Sequence, residues 1–148
     1  MKRQSALLYL LFGVFPIFAQ GIYSVSPSYS NESYGNMGFQ LEMEVEIVND
    51  YFADFLIKRV DGGKFPLNGK VALSAYDVNG VLIDDNVQHR DVQGNFSTEA
   101  LIHHNLDHHW NTWDFPVLFI AVYKPYSNPN DSVDVGPVLV EYVETVDV

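Results

Sequence analysis

Between Phe39 and Ile47 every second residue is apolar (Phe39, Leu41, Met43, Val45, Ile47), while Gln40, Glu42, Glu44 and Glu46 fill the alternate positions. A period of two points one row inward and the other outward, so this stretch predicts a half-buried β-strand with a carboxylate face. Further strand-like stretches follow at Tyr51 to Val60, Gly69 to Val78, Val81 to Ile83 with Asn86 to Arg90, Asn95 to Ile102, Val117 to Tyr123 and Val138 to Val146. Within Gly69 to Val78, Val71, Leu73 and Ala75 fall on one face and Ala72, Ser74 and Tyr76 on the other. Val117 to Tyr123 is apolar on both faces, as a central strand should be.

Turn chemistry separates these stretches. Asp61-Gly62-Gly63, Asp77-Val78-Asn79-Gly80 and Asp91-Val92-Gln93-Gly94 are turn signals, and Asn79-Gly80 suits a type I′ hairpin. Lys124 to Gly136, with Pro125 and Pro129, reads as a polar loop. No stretch beyond residue 19 shows a capped 3.6-residue period. About seven antiparallel strands between such turns predict an all-β sandwich over 37–148.

The front of the chain differs. Lys2 and Arg3 precede an apolar run from Ala6 to Phe18, then Ala19-Gln20. This is the layout of a helical secretion signal, expected over 1–19 with cleavage after Ala19. The run is short of the ~20 apolar residues a bilayer span needs, and no later stretch supplies one, so no transmembrane span is expected in the mature chain. Residues 20–36, rich in Ser, Tyr, Asn and Gly, read as an extended arm. The expected location is secreted or periplasmic.

Composition narrows the function classes. The net charge is −11, and loss of Lys2 and Arg3 with the signal makes the mature domain more acidic still. Such a field repels phosphate backbones and argues against nucleic-acid binding. The absence of cysteine removes disulfides, thiolate zinc sites and thiol nucleophiles. Neither a serine elbow nor a glycine-rich phosphate loop is present, so no catalytic residue is assigned and catalysis is the lesser reading.

Lys64-Phe65-Pro66-Leu67-Asn68-Gly69-Lys70-Val71-Ala72-Leu73, followed by Asp77-Val78-Asn79-Gly80 and Asp91-Val92-Gln93-Gly94-Asn95-Phe96, resembles the rhythm of bacterial Ig-like, macroglobulin-type and carboxypeptidase-regulatory (transthyretin-like) domains. The resemblance covers about a quarter of the chain. It implies an Ig-like or transthyretin-like sandwich and, resting on turn residues, implies no activity.

One segment carries candidate chemistry. His103, His104, Asp107, His108 and His109 lie together, and imidazoles with a carboxylate suit a divalent transition metal such as Zn, Cu or Ni. On a helical turn His104 would meet His108, and His103 would meet Asp107. Glu99, Asp114 and His89 are further candidate ligands. An exposed polar loop is the plainer reading of the same residues. Trp110 and Trp113 suit either a ligand platform or a plug for the open end of the sandwich, the plug being the commoner use. For calcium, Asp84, Asp85, Asp131 and Asp134 lack the spacing of a dedicated loop.

Three functions follow as expectations. The first is an exported binding or structural module that recognises a protein or glycan. The second is a metal-binding protein, or metal-dependent enzyme, built on the histidine cluster. The third is a surface-assembly subunit that pairs an arm or terminal strand with a neighbour's sheet edge.

Overall fold

A computed structural model describes residues 7–9, 16–25, 29–30 and 37–146 of the chain. In chain order the strands are β1 (Leu7–Tyr9), β2 (Pro16–Val25), β3 (Tyr29–Ser30), β4 (Leu41–Ile47), β5 (Phe52–Arg59), β6 (Gly69–Tyr76), β7 (Leu82–Val92), β8 (Glu99–Asn105), β9 (Val117–Pro125) and β10 (Val133–Val146). Leu106–His109 forms a single 3-10 turn. Two antiparallel sheets result, one ordered β1-β2-β10-β9-β6-β7 and the other β3-β4-β5-β8. The all-β sandwich predicted from alternation is therefore the observed architecture, and seven of its strands lie within 37–146. Among the described residues no helix is long and apolar enough to cross a membrane.

The alternation places the core as expected. Leu41 and Met43 of β4, and Ala53, Phe55 and Ile57 of β5, face Val71, Leu73 and Ala75 of β6 and Val117, Phe119, Ala121 and Tyr123 of β9. Phe55 and Phe119 meet across the layers with ring centroids 5.2 Å apart. Because apolar burial is the main favourable term in folding, this two-layer contact is what holds the sheets together. On β9 the inward residues are fully buried, whereas Leu118, Ile120 and Val122 on the other face are only partly so.

Two local expectations are corrected. A helical leader is not found where the front of the chain is described: Leu7–Tyr9 and Pro16–Val25 are strands. β2 instead pairs along the free side of β10, from Val25↔Val140 to Ala19↔Val146, satisfying backbone groups that would otherwise form an edge. The rest of the expected signal, residues 1–6 and 10–15, lies outside the described residues, as do 26–28 and 31–36 of the arm. The second correction concerns Asp77 to Val81. Gly80 has φ 81°, but Asn95 is the one described non-glycine residue with positive φ, so Asn79-Gly80 is not a type I′ pair. The Asp77 carboxylate accepts from Asn79 N–H and Val81 N–H, both at 2.9 Å, and this selects a type I turn closed by a left-handed glycine.

β7 and β8 are the edges of their sheets on one side of the sandwich. β7 is irregular, its register against β6 shifting on either side of Ala75. The bulged segment is tied down by Ser74 Oγ, which donates to Asp85 O at 3.1 Å. Bulges and exposed charges such as Asp85, Arg90 and Asp91 blunt a strand edge against pairing with other chains.

Candidate functional site

The histidine segment divides between two elements. His103 and His104 are the penultimate residues of β8 and, being adjacent on a strand, project to opposite faces. His103 is outward, where its Nδ1 contacts the Asp54 carboxylate and its ring stacks flat on Phe52 at 4.5 Å. His104 is inward and 7% exposed. The chain then turns sharply because the Asn105 side chain caps the 3-10 turn, accepting from Asp107 N–H at 2.9 Å.

That turn carries His109 back over His104, bringing their Nε2 atoms to 3.1 Å. His104 Nδ1 lies 2.7 Å from Gln88 Oε1 on β7. An amide oxygen only accepts, so Nδ1 of His104 bears the proton and its Nε2 presents a lone pair, to which His109 Nε2–H donates. His109 is fixed on its other side by Trp113, whose ring is parallel to it at 3.6 Å. The His108 ring packs edge-on to His109 at 4.9 Å. Burial, followed by the neighbouring imidazoles, lowers the pKa of His104 to about 4. Burial and then His108 lower that of His109 to about 4, against a smaller upward pull from Asp84. Both rings are therefore neutral at pH 7.

The remaining candidate residues do not converge on this pair. Asp107 turns away toward β2, where Tyr23 Oη donates to it at 3.2 Å. Neither helical pairing foreseen from the sequence, His104 with His108 or His103 with Asp107, is the one formed: a strand ending in a 3-10 turn selects His104 with His109 instead. Glu99 and Asp114 are exposed, and His89 sits on β7 opposite Ala72. Among the described residues no three His, Asp or Glu side chains form a group that could hold a metal ion. That also covers the aspartates considered for calcium.

Trp113 is 7% exposed and packs near Phe115 and Phe119. Trp110 is half-buried.

A second feature, not singled out from the sequence, lies at the loop after β7. Asn68, Asp91, Val92, Gln93, Phe96, Ser97 and Tyr126 line an open groove of about 560 Å³. Phe96 is 72% exposed and Tyr126 57% exposed. Phe96 is nevertheless held on a rigid loop. Asn95 N–H donates to Phe65 O at 2.7 Å and Phe65 N–H to Ser97 O at 2.9 Å. Gln93 N–H donates to Ser97 Oγ at 2.9 Å, and Gly94 N–H to Asn68 Oδ1 at 2.7 Å. Position 94 must be glycine, since a Cβ there would stand 2.6 Å from the Leu67 backbone. Beneath, the buried Tyr123 hydroxyl donates to Leu67 O at 2.6 Å and accepts from Leu67 N–H at 3.1 Å. Tyr126 Oη contacts the Asp91 carboxylate. The Asp-x-x-Gly-x-Phe signal was present in the sequence, but it reads there as turn chemistry only.

No family model, curated protein or solved structure matches this chain.

Proposed function

We propose that the protein is an exported β-sandwich recognition module and that its groove beside Phe96 and Tyr126 takes a carbohydrate. The observation that carries this reading is a large aromatic ring left in solvent on a loop that hydrogen bonds hold rigid. Exposing such a ring costs apolar hydration, and fixing it in place lowers the entropy lost on binding. Sugars present an apolar face to aromatic rings and hydroxyls to amides and carboxylates. Phe96 and Tyr126 supply the first partners, and Asn68, Gln93 and Asp91 the second. The groove falls within the size range of small-molecule sites.

Export is part of the same proposal. It is supported by Lys2-Arg3 ahead of the apolar run and by Ala19-Gln20. Cleavage after Ala19 would leave Gln20 to Val25 to pair with Val140 to Thr145 of β10. The likeness to Ig-like and transthyretin-like domains enters the proposal only as the sandwich architecture.

The test is a glycan-array screen of the purified chain, followed by titration of any hit against wild type and Phe96→Ala. Loss of binding by at least tenfold, with the melting temperature unchanged, is expected. A hit that binds Phe96→Ala as tightly as wild type would refute the assignment, and so would an array with no hit.

A further inference from the structure

We propose that His104 and His109 form a two-imidazole site for a borderline divalent transition ion, copper(II) ahead of zinc(II). The geometry is the first support. Metal–nitrogen bonds of about 2.0–2.1 Å put two ligand nitrogens about 2.9 Å apart at a right angle and about 3.4 Å apart at the tetrahedral angle. The observed separation of 3.1 Å between the two Nε2 atoms lies inside that span. An ion at those bond lengths sits off the line between the two nitrogens, so replacing the shared proton requires each ring to pivot by roughly 40° to turn its lone pair onto the ion.

Orientation is the second support. A ligating imidazole is normally steered by a hydrogen bond at its other nitrogen. Gln88 does this for His104, binding Nδ1 at 2.7 Å and leaving the Nε2 lone pair directed at His109. Trp113 holds the plane of His109 by stacking at 3.6 Å. On metal binding, His109 keeps its proton by moving it from Nε2 to Nδ1, so both rings stay neutral and no proton is lost.

The site differs from a prearranged cage of three or more ligands, which the described residues do not contain. Two imidazoles leave the other coordination positions to water, with His108, packed edge-on to His109, the nearest imidazole to add a third. Two nitrogens and water favour the ion highest in the general affinity order, hence copper(II) first. His103, on the other face of β8, and Asp107, engaged with Tyr23, take no part.

The experiment is calorimetric titration of the untagged full chain with copper(II) alone and zinc(II) alone, with His103→Gln, His104→Gln and His109→Gln beside wild type. Wild type and His103→Gln should bind one equivalent of copper, and zinc at least tenfold more weakly. His109→Gln should lose at least tenfold in copper affinity, and the nitrogen coupling in the copper resonance spectrum should change. His104 is buried, so His104→Gln is read only if its circular dichroism matches wild type; the partly exposed His109 keeps the test intact if it does not. Copper binding by His109→Gln equal to wild type would overturn the proposal, as would no saturable binding below about 100 µM, a Kd corresponding to roughly −5.5 kcal/mol.

Discussion

Removing one oxygen atom from Tyr123 tests how the groove is supported. Tyr123 is fully buried, and its ring packs against Phe65 and Phe39 with centroids 4.9 and 6.2 Å away. Phenylalanine keeps that ring and opens almost no cavity, so Tyr123→Phe isolates the hydroxyl. The hydroxyl satisfies both backbone groups of Leu67. Two hydrogen bonds at about 1 kcal/mol each give an expected loss of about 2 kcal/mol. For a domain of this size that corresponds to a fall in Tm of roughly 6–10 °C. Urea unfolding at pH 7 measures it, and an unchanged m-value would show that the native and unfolded states are otherwise alike. A loss below about 0.5 kcal/mol would refute the reasoning, because water would then be replacing the hydroxyl at no cost.

Other outcomes follow from the same structure. Gly94→Ala should destabilise by about 1–3 kcal/mol in urea unfolding, because its Cβ must push the Leu67 backbone away. Stability should also fall with pH in chelator-treated protein. The folded His104 has its pKa lowered to about 4 from 6.5. The unfolded chain therefore takes up the proton first, and His104's full contribution is present above pH 6.5 and lost progressively down to pH 4. At about 1.4 kcal/mol per pH unit the loss reaches about 2 kcal/mol at pH 5. Carboxylates titrate in both proteins, so the readout is the difference between wild type and His104→Gln, and parallel pH profiles for the two would contradict the assignment.

The parts of the fold legible in the sequence are those where burial is one-sided. In β4 the carboxylates of Glu42, Glu44 and Glu46 cannot turn inward without heavy desolvation, so Leu41 and Met43 have to. In β6 both faces are buried, since the strand lies between β9 and β7 with Ala72 and Ser74 enclosed as well. The histidine contact was not legible. It joins residues five apart, a spacing that belongs to neither a helix nor a strand, and it depends on Asn105 ending β8 and on Gln88 arriving from the other sheet. The burial of Trp113 was legible because large aromatics are usually buried. Phe96 was not legible as a surface ring, since the Gly-x-Phe pattern does not reveal which way the phenylalanine points. The pairing of β2 with β10 also escaped notice, because an apolar leader reads as a signal whether or not its last residues later join a sheet.

The register between β2 and β10 has a consequence for biogenesis. A chain synthesised front end first presents its first paired strand long before the last one arrives. Until then the far side of β9 would lack its neighbour, and the unfinished sheet would be exposed to self-association or in need of a holdase. The final assembly step would be zippering of the two ends of the domain against each other, so lesions near the carboxyl end should show as poor yield and proteolysis rather than as altered binding.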